Sequence, residues 1–177
     1  PVRGYPSFRT PPDLARSVRA SGWDACSTAS NHSLDAGQHG IGTTLAALDR
    51  AGLRHAGTAR SPAEARRSTI LDVKGVKLAL LSYTAVTNSQ AVPHSWSVAW
   101  ADAGRILRDA RRARRRGAAG VLVNLHWGDE YSHAISAAQA ALARRLTRSP
   151  AITAIVGQHA HVVQRIRRVH GKPVVFG

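Results

Sequence analysis

Helix and strand signals alternate along this chain, with hairpin signals set between them, and together they predict an α/β (α+β) fold built on a mixed sheet. Three observations carry the prediction. Apolar, β-branched runs such as Gly120-Val121-Leu122-Val123-Asn124-Leu125 and Ala151-Ile152-Thr153-Ala154-Ile155-Val156 recur between stretches with helical spacing. Several helical stretches open on a capping residue or stop at glycine. Lys74-Gly75 and Gly171 each split a pair of strand-like runs. The 177 residues suit one domain, 1–177, with a sizeable core.

In order, the proline-rich residues 1–12 form an irregular lead-in, and 13–21 a short helix ended by Gly22. Residues 23–29 are the first strand candidate and run into Ser30-Asn31-His32. A helix over 38–51 follows, with Ile41, Leu45 and Leu48 on one stripe and Gly52 as its cap. Residues 53–57 form a short strand, and Ser61-Pro62-Ala63-Glu64 opens a helix. Strands over 69–73 and 76–83 lead to an irregular loop over 85–100, then a helix over 102–116. The strand 120–125 ends in His126-Trp127-Gly128, and Ser136 caps a helix over 136–148. The run 151–156 reads as a strand closed by a turn at Gly157, and 162–169 with 173–176 as a last hairpin.

The single cysteine, Cys26, excludes an internal disulfide and a cysteine-based zinc cluster. No run is long and apolar enough to span a membrane. The chain starts at Pro1 and stops after Val174-Val175-Phe176, so both ends read as cut from something longer. The net charge of +15 is concentrated in seven arginines between Arg105 and Arg116, facing one Asp109. Such a run is read first as a solvated helix face. Without interleaved aromatics it argues against nucleic acid as partner, and leaves an anionic polymer or substrate as the functional reading.

Candidate ligands follow three predicted strands: Asn31 and His32 after the first, His126 after 120–125, and His159 and His161 after 151–156. Open α/β sheets collect their sites at the carboxyl ends of strands, so these residues can converge. Imidazoles and an amide oxygen suit Mn, Fe or Zn. Asp129 and Glu130, beside His126, offer a carboxylate or are loop charge, while Asn31 is also an ordinary turn residue type.

The stretch Ser27-Thr28-Ala29-Ser30-Asn31-His32-Ser33-Leu34-Asp35-Ala36-Gly37 resembles the bacterial capsule-synthesis CapA family, as do Leu125-His126-Trp127-Gly128 and Gly157-Gln158-His159-Ala160-His161-Val162-Val163-Gln164. These poly-γ-glutamate synthesis proteins have a calcineurin-like metallophosphoesterase fold. The resemblance implies a metallophosphatase-like sandwich of two mixed β-sheets flanked by helices, carrying a site for two divalent metal ions. It makes Asn31, His126 and His159 ligands of one ion and His161 a ligand of the other. It gives His32 the catalytic place beside the phosphate, and makes Asp35 an orienting residue. Upstream carboxylates belonging to the family pattern are absent, so the domain is expected to be incomplete at its N-terminus and at its C-terminus; Gln158 stands where the family often has histidine. The expected function is synthesis or export of a capsule-like anionic polymer at the outer face of the cell envelope, alongside other capsule-synthesis proteins. The alternatives are a general metal-dependent phosphoesterase (a hydrolase), or a non-enzymatic polyanion binder using the arginine helix.

Overall fold

The computed structural model describes residues 2–88 and 91–177. In chain order its elements are α1 (Asp13–Ala20), β1 (Ala25–Ser27), α2 (Gly37–Arg50), β2 (Arg54–Ala56), α3 (Pro62–Ala65), β3 (Thr69–Val73) and β4 (Val76–Thr84), then α4 (Ala103–Arg115), β5 (Gly120–His126), α5 (Ala137–Thr147), β6 (Ala154–Gln158), β7 (Ile166–Val169) and β8 (Lys172–Val175). Six strands form a mixed sheet in the order β3-β4-β5-β6-β8-β7, and β1 pairs with β2 in parallel as a second, smaller sheet. The expected mixed α/β fold with two sheets and flanking helices is present.

Parallel neighbours need a crossover, and α4 and α5 supply it for β4-β5 and β5-β6. The hairpins β3-β4 and β7-β8 add antiparallel strands at the two edges. Each hairpin turns through a left-handed pair, Lys74-Gly75 and His170-Gly171, the backbone that matches strand twist in a two-residue turn. Fully buried Val121, Val123, Leu125, Ile155 and Val174 pack with Ile106, Ala110 and Leu146 of α4 and α5. A second cluster, with Leu34, Ile41, Leu45, Leu53 and Val98, gathers around α2.

Strand boundaries depart from expectation most at β1, which covers Ala25–Ser27 of the expected 23–29, and at the starts of β6 and β7. β6 begins at Ala154, not at 151, because Thr153 Oγ1 takes the Val121 N–H and an Arg114 N–H, and Arg114 Nε donates to Ala151 O. These side-chain bonds anchor residues 151–153 ahead of the strand, with the Thr153 N–H still donating to Val121 O of β5 and Ala151 and Ile152 buried. β7 begins at Ile166, since Gln164 N donates to Gly177 O and its side chain donates to Ser132 O and Ala134 O.

The arginine run is divided in use. Arg114 is committed to the carbonyls of Ala118, Ala119 and Ala151 as well as to Thr153. Arg105 and Arg112 share Asp109, which also accepts from Tyr83 Oη. Arg108, Arg111, Arg115 and Arg116 remain exposed. Among the described residues no helix is long and apolar enough to cross a membrane.

Candidate metal centre

β5 and β6 lie side by side with His126 opposite Gln158, so the chain that leaves each strand enters the same space. The Trp127 N–H donates to Gln158 O, and the Tyr131 N–H to Ala160 O, which lays the loop 127–131 along the histidine turn. That turn is not made at Gly157. Gly157 sits inside β6, where a Cβ would overlap the Phe176 carbonyl oxygen and the Trp127 indole nitrogen. Trp127 is packed: its ring stacks on Phe176 at 5.8 Å and its Nε1 donates to Phe176 O at 2.8 Å. The turn is made by His159 (φ 113°) and His161 (φ 56°), two side-chain-bearing residues in a region that favours glycine. Non-glycine residues held there cost about 1–3 kcal/mol each, and such strain gathers at functional sites.

The structure brings together His126, His159, His161, Asn31 and Glu130. His126 and His159 rings lie 4.5 Å apart, and those of His159 and His161 6.2 Å. Glu130 Oε1 is 3.8 Å from His159 Nδ1 and 3.7 Å from His161 Nε2, and the ligand atoms of these three residues lie within 4.8 Å of one another. His159 Nδ1 is buried and has no hydrogen-bond partner. Buried polar atoms are nearly always paired, which singles out this nitrogen within the cluster. Across the cluster, His126 Nε2 bonds Asn31 Oδ1 at 2.9 Å, joining the β1 loop to the end of β5. Asn31 Nδ2 in turn donates to Asn88 Oδ1 at 3.4 Å; that network assigns the proton to His126 Nε2.

His32 stands beside this group. Its Nδ1 donates to Asp35 Oδ2 at 2.9 Å, which leaves Nε2 as the acceptor, 3.5 Å from Asn88 Nδ2. Asp35 Oδ2 also accepts the Phe8 N–H at 2.6 Å, and the Phe8 ring meets His32 edge-on at 4.7 Å. Asn88 and Phe8 were not legible as site residues: one lies in an irregular loop, the other in the proline-rich lead-in. Asp129 lies outside the three-residue ligand group, and Gln158 spans the sheets instead, donating to Asn124 Oδ1 at 3.0 Å and Ser27 Oγ at 3.4 Å. Exposed Tyr131 stacks 5.7 Å from His161.

Burial, with the His159, His161 and His32 rings nearby, pushes the His126 imidazole down to about 4. Burial lowers His159 too, against the opposing pull of Glu130. At neutral pH both are uncharged, the form that carries a lone pair for a cation. Glu130, His159 and His161 offer two imidazoles and a carboxylate at a spacing that fits a divalent transition metal, with His126 Nε2 and Asn31 Oδ1 bonded to each other alongside.

The model of the bacterial capsule synthesis protein family PGA_cap matches residues 1–177. The chain belongs to that family. Its similar relatives include a probable polyglutamine synthesis accessory protein of Mycobacterium tuberculosis, 28% identical over 183 residues, matching 96% of this chain and 48% of the relative. The capsule biosynthesis protein CapA of Bacillus anthracis is 29% identical over 169 residues, matching 93% of this chain and 41% of the relative. The PGA biosynthesis protein CapA of Bacillus subtilis is 27% identical over 172 residues, 96% and 45% respectively. The chain thus spans about half the length of the curated relatives it matches. Among solved structures, the NAD nucleotidase of Haemophilus influenzae shares the fold at a TM-score of 0.57 and 16% identity, over 93% of this chain and 32% of that one.

Proposed function

We propose that this capsule-synthesis family member acts in the synthesis or export of an anionic polymer of the poly-γ-glutamate class, at the outer face of the cell envelope, through a divalent-metal centre. Asn31, His126, His159, His161 and Glu130 would hold the metal, with two ions as the full complement. The observation that carries this reading is the buried, unpartnered His159 Nδ1 facing Glu130 and His161. Glu130 answers the need for negative charge that neutral imidazole and amide ligands leave unmet in a chain of net charge +15. A bound ion would supply Lewis acidity toward a phosphoryl or carbonyl oxygen. The protein's own part is positional: the Asp35 carboxylate fixes the His32 tautomer and ring, so that Nε2 faces the cluster side and can hold or release a proton there.

The test is the metal-to-protein ratio, by elemental analysis after equilibration with Mn, Fe or Zn salts and gel filtration. Bound metal approaching two equivalents supports the reading when Glu130→Gln and a paired His159→Ala, His161→Ala variant each lose it while retaining the parent's circular dichroism. A folded parent that retains none refutes it. The His32–Asp35 pair also favours a second reading, a general phosphoesterase. Turnover of a chromogenic phosphate ester that is abolished in His32→Ala, with metal content unchanged, would select it; no turnover with any of these ions would remove it.

A further inference from the structure

A cleft of about 280 Å³ lies away from the histidines, with walls drawn from β2, the segment around α3, the end of β4, and α4. None of the candidate metal ligands lines it. Arginines from four separate parts of the chain converge there, and their pairing is unequal. Arg60 is fully engaged: it bonds Glu64 through Nε and Nη2 and reaches Asp49 through Nη1 at 2.7 Å. Arg105 and Arg112 divide the single Asp109 carboxylate, at 3.8 Å and 3.2 Å. Arg54 and Arg67 are left, lining the same cleft with no side-chain hydrogen bond or ion pair to any described residue.

Five guanidinium groups therefore meet three carboxylates in one concavity, and the surplus sits on the two arginines that have no partner. Guanidinium forks match planar or tetrahedral oxyanions better than any other side chain does. Concavity matters as much as the count, because a low-dielectric wall concentrates the field of the unpaired charges where a flat surface disperses it. The exposed arginines of α4 lack that setting. A second sign lies at the same place. Among the described residues, the buried side-chain polar atoms without a partner are His159 Nδ1 and Ser82 Oγ; the first marks the metal centre, and Ser82 belongs to the wall of this cleft. Gly57, also in the wall, is packed against Ala29 and Ser82: a Cβ there would overlap the Ala29 backbone nitrogen and stand 2.9 Å from Ser82 Oγ.

We propose that this cleft is a second, separate binding site that takes an oxyanion group, carboxylate or phosphate, of a ligand held by Arg54 and Arg67. Arg60, tied down by Asp49 and Glu64, acts as a fixed wall, and Arg105 and Arg112 supply further positive field. The site stands independently of the metal reading, because none of its residues is a candidate metal ligand.

Isothermal titration tests it with two probes, inorganic phosphate and a short γ-linked glutamate oligomer, at physiological ionic strength. Saturable binding of at least one probe near one equivalent is expected, weakened about tenfold or more by the paired change Arg54→Ala, Arg67→Ala. Both side chains are exposed and unpartnered, so that variant should keep the parent's fold and its metal content. The paired change Arg108→Ala, Arg111→Ala removes the same charge from the open face of α4 and should alter affinity less than about twofold. Binding of the oligomer alone assigns the group to an acidic polymer, and of phosphate alone to a phosphate ester; both outcomes uphold the cleft. Failure of both probes to saturate overturns the proposal, and so does equal weakening by the two paired variants, which would mean net charge alone.

Discussion

Gly157→Ala puts the packing beneath the histidine turn to a direct test. The added methyl would overlap the Phe176 carbonyl and the Trp127 indole nitrogen, and neither can yield cheaply: one is backbone of the segment after β8, the other a ring that is 2% exposed. Relief requires the Trp127 Nε1 to Phe176 O bond of 2.8 Å to open inside the core. Leaving that pair unsatisfied costs about 1–3 kcal/mol. Overpacking the site costs about 1–3 kcal/mol more. A total near 4 kcal/mol corresponds to a fall in Tm of about 8–16 °C for a domain of this size. Thermal unfolding followed by circular dichroism measures it. Gly42→Ala is the matched control: it lies inside α2, its Cβ would meet nothing within 4 Å, and helix propensity predicts a gain of up to about 1 kcal/mol. The reasoning is refuted if Gly157→Ala stays within about 1 kcal/mol of the parent, or if both glycine changes move stability equally.

Two further predictions concern acid and the arginine helix. His126 titrates near 4 in the folded chain against 6.5 for an ordinary histidine, so the unfolded chain takes up its proton first as the pH falls. Its contribution is complete above about pH 6.5, is lost between there and about pH 4, and is flat below; the loss approaches about 3 kcal/mol. Urea unfolding with a chelator present should show that slope, and His126→Gln should flatten it; an unchanged slope would show that another group is responsible. Arg114→Ala strips hydrogen bonds from three backbone carbonyls and Thr153, and should cost about 2–4 kcal/mol in urea unfolding. Arg108→Ala, on the exposed face, should stay within about 0.5 kcal/mol, and equal costs for the two would defeat the division of the run.

The order of helices and strands was legible because each follows a local rule: the apolar stripe of α2, the Ser136–Gln139 capping box of α5, the glycine turns of both hairpins. The gathering of Asn31, His126, His159 and His161 was legible for a related reason, since residues that follow strands tend to share one edge of a sheet. What could not be read were effects of distant partners on local pattern. The run 151–156 has a strand's composition, yet Arg114 and Thr153 take its first residues into a turn. Gly157 looks like a turn residue, but its smallness answers to Phe176, and the turn falls on the histidines. Glu130 is already the possible site carboxylate in sequence, and the Tyr131 N–H to Ala160 O bond, which lays its loop along the histidine turn, accounts for its place beside His159 and His161. Asn88 and Phe8 carry no periodic or motif signal, so three-dimensional proximity alone reveals them.

β6 lies between β5 and β8 in the sheet although β8 is made later, and Gly157 is braced by Phe176, beyond the last strand. This arrangement has a consequence for timing. The turn at His159 and His161 is braced only once the segment after β8 has docked beside Gly157. Asn31 lies 95 residues upstream of its partner His126. Contacts of such separation form late, after loop closure has been met across most of the chain. Small zinc-dependent domains fold around their ion, whereas here the candidate ligands are spaced by the pairing of β5, β6 and β8. The spacing of the cluster's side chains thus depends on the finished sheet and not on the chain local to any one of them.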